Sequence, residues 1–88
     1  MYAYKLSKNF ERIIAKLQKK DPTLYRNLLH KIQEVIQSSN LEHYKNLKYD
    51  LKEFKRVHVG SFVLIFKFDK QNDIILFDDF EHHDKIYS

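Results

Sequence analysis

Apolar residues recur at two different periods along this chain, and the change of period divides it in half. In the first half the spacing is helical. Phe10, Ile13, Ile14 and Leu17 fall at i, i+3, i+4 and i+7, one stripe down one side of a helix. Ser7 stands where its hydroxyl can accept an orphan N–H of the first turn, and Lys19-Lys20 put cations at the negative end of the dipole. Asp21-Pro22 restarts the pattern, with Asp as N-cap and Pro at the first helical position, where its missing N–H costs nothing. Tyr25, Leu28, Leu29, Ile32, Val35 and Ile36 then form a second stripe, running to about Gln37. So short a connection predicts an antiparallel helical hairpin.

Ser38-Ser39-Asn40 breaks the second helix, and Leu41 to Phe54 is irregular, with Leu47, Leu51 and Phe54 as candidate anchors to the core. Beyond it the period drops to two. Lys55-Arg56-Val57-His58-Val59 alternates, so Val57 and Val59 face one way and Arg56 and His58 the other. Gly60-Ser61 reads as a two-residue turn, Phe62 to Phe68 as the next strand, Gln71-Asn72-Asp73 as a second turn, and Ile74 to Phe80 as the last strand. Tyr2-Ala3-Tyr4-Lys5-Leu6 alternates weakly and reads as a short first strand, at one edge of the sheet or beside the last strand. The order β-α-α-β-β-β predicts an α+β fold, with a helical hairpin on one face of a small, mainly antiparallel twisted sheet. Eighty-eight residues make a single domain, 1–88.

Composition narrows the function. Thirteen Phe and Tyr within a hydrophobic content of 43% supply a real core. No cysteine is present, which excludes disulfides and thiolate metal sites, and a reducing cytoplasm fits. The N-terminal MYAYKLSKNF has no signal-peptide run, and nothing approaches the roughly 20 apolar residues of a membrane span. The net charge of +4 is unevenly placed: residues 1–60 hold thirteen Lys and Arg against six acids, and residues 61–88 hold three against six. Such a field favours an anionic partner, nucleic acid or an acidic protein.

The candidate chemistry lies in the second half. Arg56 and His58 share the sheet face opposite the valines, and Lys45, Lys48, Lys52 and Lys55 can crowd its rim, an arrangement suited to tracking an RNA backbone. The chain closes on His82-His83-Asp84-Lys85-Ile86-Tyr87. If the last strand stays extended, His82 and His83 face opposite sides, and neither spacing nor ligand count predicts a metal site. An imidazole there suits proton transfer near neutral pH, and a phenol can serve as an acid.

The run from Leu47 to Phe66, LKYDLKEFKRVHVGSFVLIF, followed by a hairpin and His82-His83-Asp84-Lys85-Ile86-Tyr87, resembles the RelE/ParE toxin superfamily. That family reads L-x-G-x-L-x-G-x-x-R-I-R-V-G-D-Y-R-L-I-Y, then two strands, then H-R-x-x-V-Y. The element order agrees, so the resemblance spans essentially the whole chain. It implies a RelE-like toxin of a type II toxin–antitoxin pair: a cytoplasmic mRNA interferase that acts on the ribosome without metal or other cofactor. It further implies neutralisation by an acidic, RelB-like antitoxin, as a heterodimer or heterotetramer. Carried over by position, Arg56 and His58 match basic residues of the second strand, His83 the C-terminal arginine and Tyr87 the terminal tyrosine. Val63 and His83 stand where arginines are usual. The expected catalytic set is His83, Tyr87 and Arg56, with Lys48, Lys52, Lys55, His58, Lys85 and His82 toward RNA phosphates. A ParE-like gyrase poison and a binding module without activity are the other readings. ParE-type chains often continue into a C-terminal helix, and this chain stops one residue after Tyr87, which favours the RelE side.

Overall fold

Ser7 joins the two layers of the molecule. In this computed structural model, which describes residues 1–47 and 53–87, β1 (Ala3–Leu6) leads through Ser7 into α1 (Lys8–Lys20). The Ser7 hydroxyl accepts from Phe10 N at 3.0 Å and donates to Asp78 O at 2.9 Å, while its own N–H donates to Phe77 O. The helix start is therefore capped and tied to the sheet by one side chain. Asp21 caps α2 (Pro22–Ile36) by accepting from Leu24 N, with Pro22 opening the helix as expected.

After α2 a 3-10 turn (Leu41–His43) and a two-residue strand β2 (Lys45–Asn46) occupy the segment that the sequence leaves irregular. Leu47 and Phe54 are half-buried, and the Leu47 N–H donates to Phe54 O; Leu51 lies outside the described residues. Then come β3 (Lys55–Val59), β4 (Phe62–Asp69) and β5 (Ile74–His82) as an antiparallel meander. The sheet runs β1-β5-β4-β3-β2, and β1 lies parallel beside β5. The first strand is thus both an edge strand and the neighbour of the last one.

Gly60 sits at φ +60° in the β3–β4 turn, where a side chain would be strained, and Asp73 takes the corresponding left-handed position in the β4–β5 turn. The core lies between the helices and the sheet. Phe10, Leu28 and Val35 meet Leu64, Phe66, Ile75, Phe77 and Phe80. The β4–β5 register shifts between Ile65 and Phe66: Ile65 pairs with Asp79 and Phe66 with Phe77, leaving Asp78 as an extra residue. This bulge turns Phe77 and Phe80, three residues apart, toward the same helices.

The chain end departs from the extended reading. The strand stops at His82, and His83–Tyr87 form a single helical turn, α3. The His83 N–H donates to Ser61 O at 2.8 Å, which swings the tail over the β3–β4 turn.

Candidate active site on the open sheet face

Alternation places β3 as expected. Val57 and Val59 pack toward the helical core, and Arg56 and His58 fall on the helix-free face. Register then moves Lys45, which the sequence sets only at the rim, onto the face itself. Lys45 of β2 pairs directly with Arg56 of β3, so the two cations share that face. Like charges directly opposite each other tend to destabilise a sheet. No sequence period reveals this pair, because β2 is two residues long.

The floor under these groups is apolar. Val63, paired with His58, is fully buried, and Ile65, paired with Arg56, is nearly so; neither belongs to the helix-side core. Val63 thus occupies the site as its base. An anion held above such a floor keeps stronger electrostatic contacts than it would in water.

α3 completes the group. Its turn brings the His83 ring to 5.5 Å from the His58 ring, centroid to centroid, with 31° between their planes. Two imidazoles from distant sequence positions therefore meet on the face that carries Arg56 and Lys45. Asp84 Oδ1 lies 3.7 Å from His83 Nδ1 and can orient that ring. His82 goes the other way: it pairs with Phe62 on the helix side, edge-on to the Phe62 ring at 5.4 Å. The Asp84 N–H donates to His82 Nδ1 at 3.2 Å, which makes that nitrogen an acceptor rather than half of an ion pair with the Asp84 carboxylate 3.7 Å away. Lys85 lies at the rim, 4.0 Å from Glu81.

Lys55 is placed elsewhere than the open face. It shares the parity of the valines and is only 6% exposed. Its Nζ donates to Tyr44 O at 3.3 Å and Asn46 Oδ1 at 3.2 Å, with Glu42 at 3.8 Å. That ammonium holds the 41–46 segment to the sheet. Lys48 and Lys52 lie outside the described residues, as does the side chain of Tyr87. Among the described residues, no group of three or more His, Asp or Glu is arranged to hold a metal ion, and no helix is long and apolar enough to cross a membrane.

A helical hairpin covers one side of a small mixed sheet and cations and imidazoles lie on the other, an α+β fold with a basic open face. The model of the ParE toxin of type II toxin–antitoxin systems, parDE, matches residues 3–87, and the chain belongs to this family of the RelE/ParE superfamily. It is 43% identical to a Methanocaldococcus jannaschii protein named "Putative toxin RelE4", over 99% of this chain and 92% of that protein. YafQ from Escherichia coli BL21(DE3) shares the fold at a TM-score of 0.75 and 18% identity, covering 100% of both chains. The toxin–antitoxin complex RelBE2 from Mycobacterium tuberculosis gives 0.75 at 16% identity, over 92% of this chain and 90% of that one.

Proposed function

We propose that this toxin cleaves mRNA on the ribosome by attack of the substrate's own 2′-OH on the adjacent phosphate. The observation that carries the reading is the His58–His83 pair, set beside Arg56 and Lys45 over an apolar floor. The 2′-oxygen forms a bond to phosphorus as the bond to the 5′-oxygen breaks. One group takes the 2′ proton and another gives a proton to the leaving oxygen, leaving a 2′,3′-cyclic phosphate and a 5′-OH. Two imidazoles, or an imidazole and the Tyr87 phenol, can divide that work. In this reading Arg56 and Lys45 take the negative charge that builds on the phosphorus oxygens. Proton transfer and cations suffice for this chemistry, so the reading asks for no cofactor. His83 and Tyr87 are assigned the proton transfer, Arg56 and Lys45 the phosphate, and His58 either its partner imidazole or a further phosphate contact. Lys85, at the rim, is assigned to flanking nucleotides, and the same role is proposed for Lys48 and Lys52.

Primer extension on messages from ribosomes treated with the toxin tests the assignment. His83→Ala is expected to lower cleavage about 10²–10⁴-fold, the range for a lost acid–base group, and Tyr87→Phe to lower it as well. If both variants cut as well as the parent, the assignment is wrong. The ParE family match favours a second reading, a gyrase poison without nuclease chemistry. DNA damage in expressing cells, with intact messages, would select it.

In either case the neutralising partner is inferred to be an acidic, RelB-like antitoxin, consistent with the excess of cations here and with the RelBE2 complex among the solved relatives. Co-purification with the product of an adjacent reading frame tests this.

A further inference from the structure

The outward side of α1 carries a row of charge that the proposed site does not use and that the fold uses only at its end, where Lys19 and Lys20 suit the negative end of the dipole. Lys8, Arg12, Lys16, Lys19 and Lys20 are all exposed, and at 100° per residue they fall within an arc of about 120°. The helix has one acid, Glu11, outside that arc. Three consecutive pairs, Lys8–Arg12, Arg12–Lys16 and Lys16–Lys20, put like charges at i, i+4, which opposes helix formation. Lys8, the first residue of α1, also sits at the positive end of the dipole, where a cation is disfavoured. Elsewhere lysines face acids: Lys31 lies 2.8 Å from Glu34 on α2, and Lys70 and Lys55 flank Glu42. Three like pairs and a cation at the positive end of the dipole, in one row, fit neutralisation from outside the chain.

We propose that this face of α1 is a second RNA surface, which takes the phosphate backbone of a double-stranded RNA segment. Charge complementarity commits the occupant. The cations run for about 18 Å along a straight axis, a length that meets several successive backbone phosphates. No apolar side chain interrupts the row, so the face lacks the apolar centre expected of a protein interface. It also lacks aromatic rings on which single-stranded bases would stack. Duplex backbone asks only for cations in a row.

The helices and the His58–His83 pair lie on opposite sides of the sheet, in a molecule 22 Å across its thinnest dimension. The scissile phosphate and this second segment are therefore different stretches of RNA. The inference rests on the proposed function only in that structured RNA surrounds the message on the ribosome.

The test uses the full chain and a fluorescein-labelled RNA hairpin of about two helical turns, read by anisotropy across a salt series. Arg12→Gln/Lys16→Gln/Lys19→Gln is expected to bind about 10–100-fold more weakly near 0.1 M salt, with a log–log salt slope shallower by about two. Arg12→Lys, which keeps the charge, is expected to bind as the parent does. An unchanged slope in the triple variant overturns the proposal. So does unchanged hairpin binding with lost antitoxin affinity, which would assign the face to a protein partner. A parent chain that binds the hairpin through α1 yet leaves ribosome-bound messages uncut supports this surface while defeating the nuclease reading.

Discussion

Lys55 and Lys45 are neighbours in the sheet with opposite tasks. The ammonium of Lys55 turns inward to the Tyr44 carbonyl and the Asn46 amide, where little water reaches it. Lys45 pairs with Arg56 on the other face and is exposed. Lys55→Met would leave those acceptors unpaired, and about 1–3 kcal/mol of stability is expected to go, measured as a lower urea midpoint at unchanged slope. Lys45→Ala is expected to keep the midpoint and weaken RNA binding and cleavage instead. The reverse pattern would exchange their roles. Read from the sequence, Lys55 belongs to the rim of the basic face, although strict alternation along β3 sets it with Val57 and Val59. What alternation could not supply was the backbone carbonyl that lets a cation be buried there, because Tyr44 comes beside Lys55 only once β2 pairs with β3. The same register exposes the Lys45–Arg56 pair, which no spacing along the chain encodes.

Between elements, contacts as few as the two hydrogen bonds of one hydroxyl decide position. Ser7 was legible as an N-cap, yet its second bond, to Asp78 O, depends on the bulge in β5. Ser7→Ala removes both and is expected to cost about 1–2 kcal/mol. Ser7→Asp can still cap α1, but it loses the donor and brings a carboxylate toward Asp78 and Asp79. Its thermal midpoint should therefore fall between those of Ser7→Ala and the parent, or below both if repulsion dominates; a midpoint equal to the parent's would mean that the bond to β5 contributes nothing. The helices and the meander follow from their periods, because one buried face sets each repeat. The bulge does not: strict alternation would send Phe77 and Phe80 to opposite faces, and only the two Asp residues between them hint at the extra residue. The tail misleads for a related reason. HHDKIY has no Ser, Thr, Asn or Asp before its helical turn; instead His82 Nδ1 accepts the Asp84 N–H, and Ser61 O anchors the turn from outside.

At the scale of the molecule, the sheet separates two cationic surfaces, and the separation predicts how their loss combines. His83 acts on proton transfer once RNA is bound, so His83→Ala should lower the maximal cleavage rate and leave the toxin concentration at half-maximal rate nearly unchanged. The Arg12→Gln/Lys16→Gln/Lys19→Gln chain should do the opposite, because α1 meets RNA that is not cut. The two sets share no partner and lie on opposite faces, so in the combined variant the free-energy losses should add, and the fold-changes multiply. Cleavage measured on programmed ribosomes over a range of toxin concentrations separates the two parameters. Additive losses fit one face that docks and one that reacts. A combined loss well below the product would mean that α1 helps to position the scissile phosphate, and the two faces would then have to be read as one site reaching around the edge of the sheet.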